Sequence, residues 1–173
     1  MLWKVLRRAG VTLTLGAAVL ATAVPANAAS YSAFAFSQSS SQPTIYDFIN
    51  SATSSLDMTM YELEDTTAVN DLMALENKGV TVRVILDGAH RSANQSAYNA
   101  LTSAGAGVVW SSSTFVYTHQ KTVTVDGAKS LVLTGNLTSQ YYPTGRDYGV
   151  FDDDSRDPWR AASARIRPRP VLS

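Results

Sequence analysis

Four residues stand out in the stretch YTHQKTVTVDGAKSLVLTGNLTSQYY: His119, Lys121, Asp126 and Asn136. His119 and Lys121 are two apart, Asp126 ends an alternating apolar run, and Asn136 comes ten residues after it. On a strand, residues i and i+2 project to the same face, so the imidazole and the ammonium share one surface. Such a pair suits phosphodiester chemistry. A neutral imidazole can attack phosphorus and form a covalent intermediate. An ammonium beside it balances charge on the phosphoryl oxygens, and a carboxamide such as that of Asn136 donates a further hydrogen bond to them. With these donors no metal is required, and no His cluster or carboxylate pattern reads as a metal site. A P-loop and a G-x-G-x-x-G are both absent from the sequence, so no nucleotide cofactor is expected.

These residues need a scaffold, and the apolar periodicity supplies one. QPTIYDFINSATSS carries Ile45, Phe48 and Ile49 at helical spacing. LDMTMYEL alternates Leu56, Met58 and Met60 with polar partners, as a strand does. A helix follows with Val69, Leu72, Met73 and Leu75 on one stripe, closed by Gly79. VTVRVILDG reads as a buried strand. SANQSAYNALTSAG is a helix with Ala97, Ala100 and Leu101 inward, and GVVWSS a short strand. KTVTVD and KSLVLTG flank a turn at Gly127, and RDYGVFDDD is one more strand. The order α-β-α-β-α-β-β-β-β predicts an α/β fold, a mixed β-sheet flanked by helices. Val123 and Val125 share the parity of His119 and Lys121 and are expected to pack below them.

The ends read differently. Residues 1–28 have a basic start (Lys4, Arg7, Arg8), an apolar stretch and small residues at Ala26 and Ala28. That is the pattern of a secretory signal peptide, so export is expected, with no transmembrane anchor left after cleavage. Residues 29–41, rich in Ser and Ala, read as a loose lead-in. Residues 42–154 form the folded domain. Residues 155–173 hold five arginines and three prolines without an apolar stripe and read as a disordered basic tail. The whole chain is neutral, with 14 basic and 14 acidic residues, but 13 acidic and six basic residues between Ser30 and Asp154 leave that part at −7. Proteins that grip nucleic acid by its backbone usually show a basic surface, so nucleic acid is the disfavoured partner and a phospholipid or other phosphodiester the favoured one. The absence of cysteine excludes thiol catalysis and Cys-ligated zinc.

The motif resembles that of the phospholipase D superfamily, H-x-K-x4-D followed by x6-G-S-x-N. His119, Lys121, Asp126 and Asn136 match it in spacing, while Leu133 and Thr134 replace the Gly-Ser pair. The resemblance spans about Gln42 to Asp154 and implies a single phospholipase D-like lobe. It implies His119 as nucleophile or acid/base, and Lys121, Thr134 and Asn136 as phosphate ligands. Asp126 becomes a structural and electrostatic support of the catalytic set. Asp147, eleven residues after Asn136, is implied to orient the imidazole.

Superfamily members use two such motifs, one histidine attacking and the other protonating the leaving oxygen. This sequence holds one. His90, in DGAHRS, has no Lys two residues on and reads as a loop residue at a strand's carboxyl end. A C2 homodimer would bring two copies of His119 together; otherwise the chain is half of a two-motif enzyme. The expected activity is a secreted phosphodiesterase of phospholipase D type, cleaving phospholipid head-group esters through a phosphohistidine. A homodimeric endonuclease of the same superfamily, or an inactive half-domain serving as a binding module, are the alternatives. Tyr141, Tyr142, Tyr148 and Trp110 suit either substrate stacking or core and rim packing.

Overall fold

A computed structural model describes residues 30–35 and 41–154. The expected signal peptide (1–28), part of the expected lead-in and the expected tail (155–173) lie outside them. The elements are β1 (Tyr31–Ala35), α1 (Ser41–Asn50), β2 (Ser55–Met60), α2 (Thr66–Asn77), β3 (Thr81–Leu86), α3 (Arg91–Ser103), β4 (Gly107–Trp110), β5 (Lys121–Val125), β6 (Lys129–Leu133), one 3-10 turn (Ser139–Tyr141) and β7 (Tyr148–Asp152).

All seven strands join one sheet in the order β1-β7-β6-β5-β2-β3-β4. The parallel strands β2, β3 and β4 are linked by crossover helices, and the antiparallel strands β5, β6, β7 and β1 complete it. This is the mixed α/β sheet that the periodicity implies. The lead-in differs from expectation: its residues 31–35 form an edge strand on β7. Four of its five side chains are exposed; backbone pairing with β7 and the Phe34 ring, stacked on Phe151 at 5.3 Å, hold it, and one anchoring ring gives no apolar periodicity.

Pleating sorts the side chains. Leu56, Met58 and Met60 of β2, Val82, Val84 and Leu86 of β3, and Val123 and Val125 of β5 join Ile45, Ile49, Leu72, Leu75 and Leu101 of the helices in one buried core. Burying each of the larger aliphatic side chains contributes roughly 1.5–3 kcal/mol. The alternate positions carry polar groups: Asp57 pairs with Arg83 through two hydrogen bonds, and Thr124 meets Ser130 at 3.1 Å.

The β5–β6 hairpin turns on Asp126 and Gly127, with φ of 54° and 61°. Two consecutive left-handed residues match the Asp-Gly hairpin preference. The turn aims the Asp126 carboxylate at the start of β2. There it accepts from the backbone N–H groups of Thr53, Ser54 (2.7 Å) and Ser55 (2.9 Å) and from the hydroxyls of Thr53 and Ser54. Burial opposes its ionisation, but the Ser55 and Ser54 N–H groups and these hydroxyls outweigh burial and hold its carboxyl well below the usual carboxylate range. A depressed folded pKa gives stability that is present above the unfolded value of about 4 and lost as pH falls below it. Asp126→Ala is therefore expected to destabilise the fold by about 2–3 kcal/mol at pH 7, with a gap that narrows below pH 4. Urea unfolding at pH 7 and pH 3 measures both.

Candidate active site

The three parallel strands run their carboxyl ends to one edge of the sheet, where ligands bind in open α/β sheets. β5 runs the opposite way and starts at that edge. Lys121, its first residue, pairs with Met60, the last of β2. The loop after β4 therefore delivers His119 and Lys121 beside Tyr61 and Glu62, which follow β2, and Asp87 and His90, which follow β3.

Lys121 is 5 % exposed. Its Nζ lies 3.1 Å from His119 Nε2 and 3.2 Å from Nδ1, and donates to the His119 carbonyl at 3.1 Å. It also sits 5.2 Å from the centre of the Tyr61 ring. Burial pushes its pKa below the ordinary lysine value, although Glu62 and Asp147 pull the other way. Among the described residues it forms no ion pair. Glu62 and Asp147 compensate the buried ammonium only in part, so an anion arriving in direct contact would lower its cost. His119, by contrast, is exposed, so an ester can reach its ring.

His119, Lys121, Thr134, Asn136 and Asp147 line one cavity of about 250 Å³, with Gly135, Gly145, Tyr141 and Tyr142. The sequence places these five together, and the structure does too. Two contacts differ from expectation. Asp147 accepts from the Thr134 hydroxyl at 2.8 Å, and the His119 ring instead meets Lys121 and Tyr61. A Cβ on Gly135 would lie 2.8 Å from the Asp147 carboxyl carbon, and one on Gly145 3.0 Å from Asp147 Oδ2. Two glycines thus make room for that carboxylate. Asn136 Nδ2 donates to Glu62 Oε2 at 2.8 Å, leaving its second N–H for a ligand. Leu133 is buried in the core and does not line the cavity, so its bulk falls away from a substrate.

Asp126, grouped with the catalytic residues by spacing, stands apart. The length of β5 separates it from Lys121, roughly 17 Å at 3.3 Å per residue. Its carboxylate is taken up by the start of β2, so it acts through the fold and not on the reacting atoms.

Sequence reasoning missed a buried hub. Asp87 is 1 % exposed. It accepts from the backbone N–H of Thr118 at 2.6 Å, next to His119 in the chain, and from the backbone N–H of His90 at 3.1 Å. His90 Nδ1 lies 3.1 Å from the same carboxylate, and His90 Nε2 lies 2.9 Å from the Tyr61 hydroxyl. The Tyr61 ring meets that of His119 edge-on at 4.3 Å. His119 is thus held from two sides, by its backbone and by its ring, and both holds lead to Asp87. Burial raises the Asp87 pKa, but the Thr118 N–H, His90 and the Ala89 N–H outweigh it and leave the group below its ordinary value. The one available signal was position: Tyr61, Asp87 and His90 all follow carboxyl ends of parallel strands. Asp87→Ala is expected to lower kcat about 10–100-fold through misplacement of His119, with a smaller change in KM; steady-state kinetics on a soluble phosphodiester gives the split.

Among the described residues, no three His, Cys, Asp or Glu side chains converge closely enough to hold a metal ion.

The family described as "Cardiolipin synthase, PLD-like domain" matches residues 45–163, more than half of the chain. The chain belongs to this phospholipase D-like family. Its fold agrees with Nuc, a phospholipase D family member from Salmonella typhimurium, at a TM-score of 0.65 and 22% identity over 72% of this chain and 83% of that one. NucT from Helicobacter pylori gives 0.66 and 14%, covering 79% and 93%. Phosphatidylserine synthase from Haemophilus influenzae Rd KW20 gives 0.62 and 17%, covering 79% of this chain and 37% of that one. No curated protein matches in sequence. At these identities the solved structures carry the fold alone. Among the described residues, no helix is long and apolar enough to cross a membrane.

Proposed function

We propose that the chain is an exported phosphodiesterase of phospholipase D type that hydrolyses phospholipid head-group esters. A phosphodiesterase-type activity agrees with the family; the lipid substrate, the export and the steps below are the finer reading. The observation that carries it is the buried Lys121 ammonium, lacking a carboxylate partner, against an exposed His119. An anionic phosphoryl group supplies the missing charge.

In the first step a His119 ring nitrogen attacks phosphorus. The P–N bond forms, the P–O bond to the head-group alcohol breaks, and the leaving oxygen takes a proton. Water then attacks phosphorus and gives a proton back to the group that protonated the leaving oxygen, the P–N bond breaks, and free histidine returns. Lys121 and the second N–H of Asn136 hold the phosphoryl oxygens, and the Thr134 hydroxyl joins them by turning its proton from Asp147 to the phosphoryl group. The proton donor is the His119 of a second copy, brought in by a C2 homodimer, or a second motif in a missing half.

The alternative reading is a homodimeric endonuclease. The small lobe favours it, since this chain covers 83% of Nuc and 93% of NucT; the net charge of −7 between Ser30 and Asp154 disfavours it. Purified protein tested on phosphatidylcholine, plasmid DNA and bis-p-nitrophenyl phosphate separates the two. Cleavage of lipid and of the small ester, but not of DNA, is the expected outcome. DNA cleavage with inert lipid would replace the lipid reading by the nuclease, and cleavage of none would leave an inactive half-domain.

A further inference from the structure

Phe115, Val116 and Tyr117 are consecutive in the loop that runs from β4 to His119, and they are 66%, 78% and 56% exposed. No other run of described residues exposes three large apolar side chains in a row. From Ser111 to Thr118 the loop carries no charged residue. We infer that this loop is a membrane-contact site that inserts Phe115 and Val116 among the lipids of a phospholipid surface and thereby sets His119 at head-group depth. The inference rests on the lipid reading of the site above.

Four features support a lipid surface. First, the loop is built to hold its tip out. The Ser112 hydroxyl accepts from Thr114 N at 3.2 Å and lies 3.0 Å from the Thr114 hydroxyl, Phe115 N donates to the Ser112 carbonyl, and Thr118 N is fixed by Asp87. A preformed apolar tip loses little conformational freedom on insertion. Second, the spacing fits. Val116 precedes His119 by three residues, about 10 Å of extended chain, and interfacial elements bury their apolar face roughly 5–10 Å into the boundary region. Third, the chemistry is interfacial. Apolar side chains sit at the tip, Ser and Thr flank them, Tyr117 stands between tip and site, and exposed Tyr141 lines the site cavity. Aromatic side chains with one polar end favour the membrane–water boundary. Arg91, stacked on Trp110, shares a surface cleft with Phe115 and Val116 and offers a cation to lipid phosphates. Fourth, the patch is small. Phe and Tyr present about 150–250 Å² each, so the run stays below the roughly 800 Å² per partner of a stable protein interface.

Co-sedimentation of the full chain with phosphatidylcholine vesicles, and with vesicles containing phosphatidylglycerol, tests this. The unaltered protein is expected to bind the vesicles. The Phe115→Ser, Val116→Ser double variant is expected to bind them about tenfold more weakly. Its vesicle hydrolysis should fall in parallel, while cleavage of soluble bis-p-nitrophenyl phosphate stays within about twofold, as a surface change away from the reacting groups allows. Phe115→Trp should keep vesicle binding, with emission shifted to the blue on insertion. Failure of the unaltered protein to bind vesicles, or equal binding by the double variant, would overturn the inference. So would a dimer without vesicles that the double variant dissociates, since the loop would then dock a second copy. His119→Ala separates this from the catalytic reading: it should bind vesicles normally, and retained hydrolysis in it would sink the proposed chemistry while leaving the loop's role intact.

Discussion

His119→Ala is expected to reduce phosphodiester hydrolysis by about four orders of magnitude, as loss of a covalent nucleophile does. The reason is geometric. His119 is the exposed imidazole at the mouth of the cavity, and the only other histidine has both ring nitrogens committed, to Asp87 and to Tyr61. No second imidazole of the chain is therefore free to take over the attack. The loss should fall on kcat more than on KM, because Lys121 and Asn136 remain to bind the phosphoryl group. The fold should be nearly unaffected, since an exposed side chain at the end of a loop contributes little to the core. Burst kinetics with bis-p-nitrophenyl phosphate give a direct reading: the unaltered protein releases nitrophenol in a burst set by the covalent step, and the variant shows none.

Lys121→Met is expected to lower activity about 10²–10³-fold, the usual effect of deleting one charge-stabilising group at the reaction centre, while making the protein more stable. The two effects share a cause. Lys121 is buried, its pKa is pushed down chiefly by that burial, and Glu62 and Asp147 offset this only in part. A lysine whose folded pKa lies below its unfolded value costs the fold stability while it is charged, and that cost is relieved as pH rises through the folded value. Methionine keeps the apolar stem and removes the charge, so a gain on the order of 1 kcal/mol is expected at pH 7. The gain should shrink toward pH 10. Activity of the unaltered protein should fall over the same alkaline range as the ammonium loses its proton. Inorganic phosphate or vanadate should raise the Tm of the unaltered protein by mass action and leave that of the variant nearly unchanged. A variant less stable than its parent would show that the ammonium holds the fold together.

The spacing of the reacting pair was legible in the sequence, but the reason was not strand parity: β5 begins at Lys121 and His119 lies in the loop before it, so the contact is made by the Lys121 side chain reaching back over the imidazole. Asp126 shows the limit of the same reasoning. Its spacing from Lys121 was correct for the motif, yet spacing along a strand is distance, and five strand residues carry it to the far end of the sheet. The Asp147 contact with Thr134 could not be read either, because it depends on where β6 and β7 end relative to each other. Tyr61, Glu62, Asp87 and His90 lie some 30 to 60 residues before His119 in the chain. They reach the site only through the parallel pairing of β2 with β3 and the reversed entry of β5. β1 was hidden for a different reason: an edge strand held by backbone pairing and a single ring, Phe34 on Phe151, need not carry an apolar pattern.

In the proposed reaction phosphorus becomes bonded to His119 during turnover. Phosphohistidine survives alkali and not acid, so protein quenched at high pH during hydrolysis of a short-chain phosphatidylcholine can be digested and weighed by mass spectrometry. The expected result is a phosphatidyl adduct on the peptide containing His119, formed within one turnover, chased by water, and absent from His119→Ala. Full turnover with the His119 peptide unmodified at every quench time, or an adduct on another residue, would contradict it.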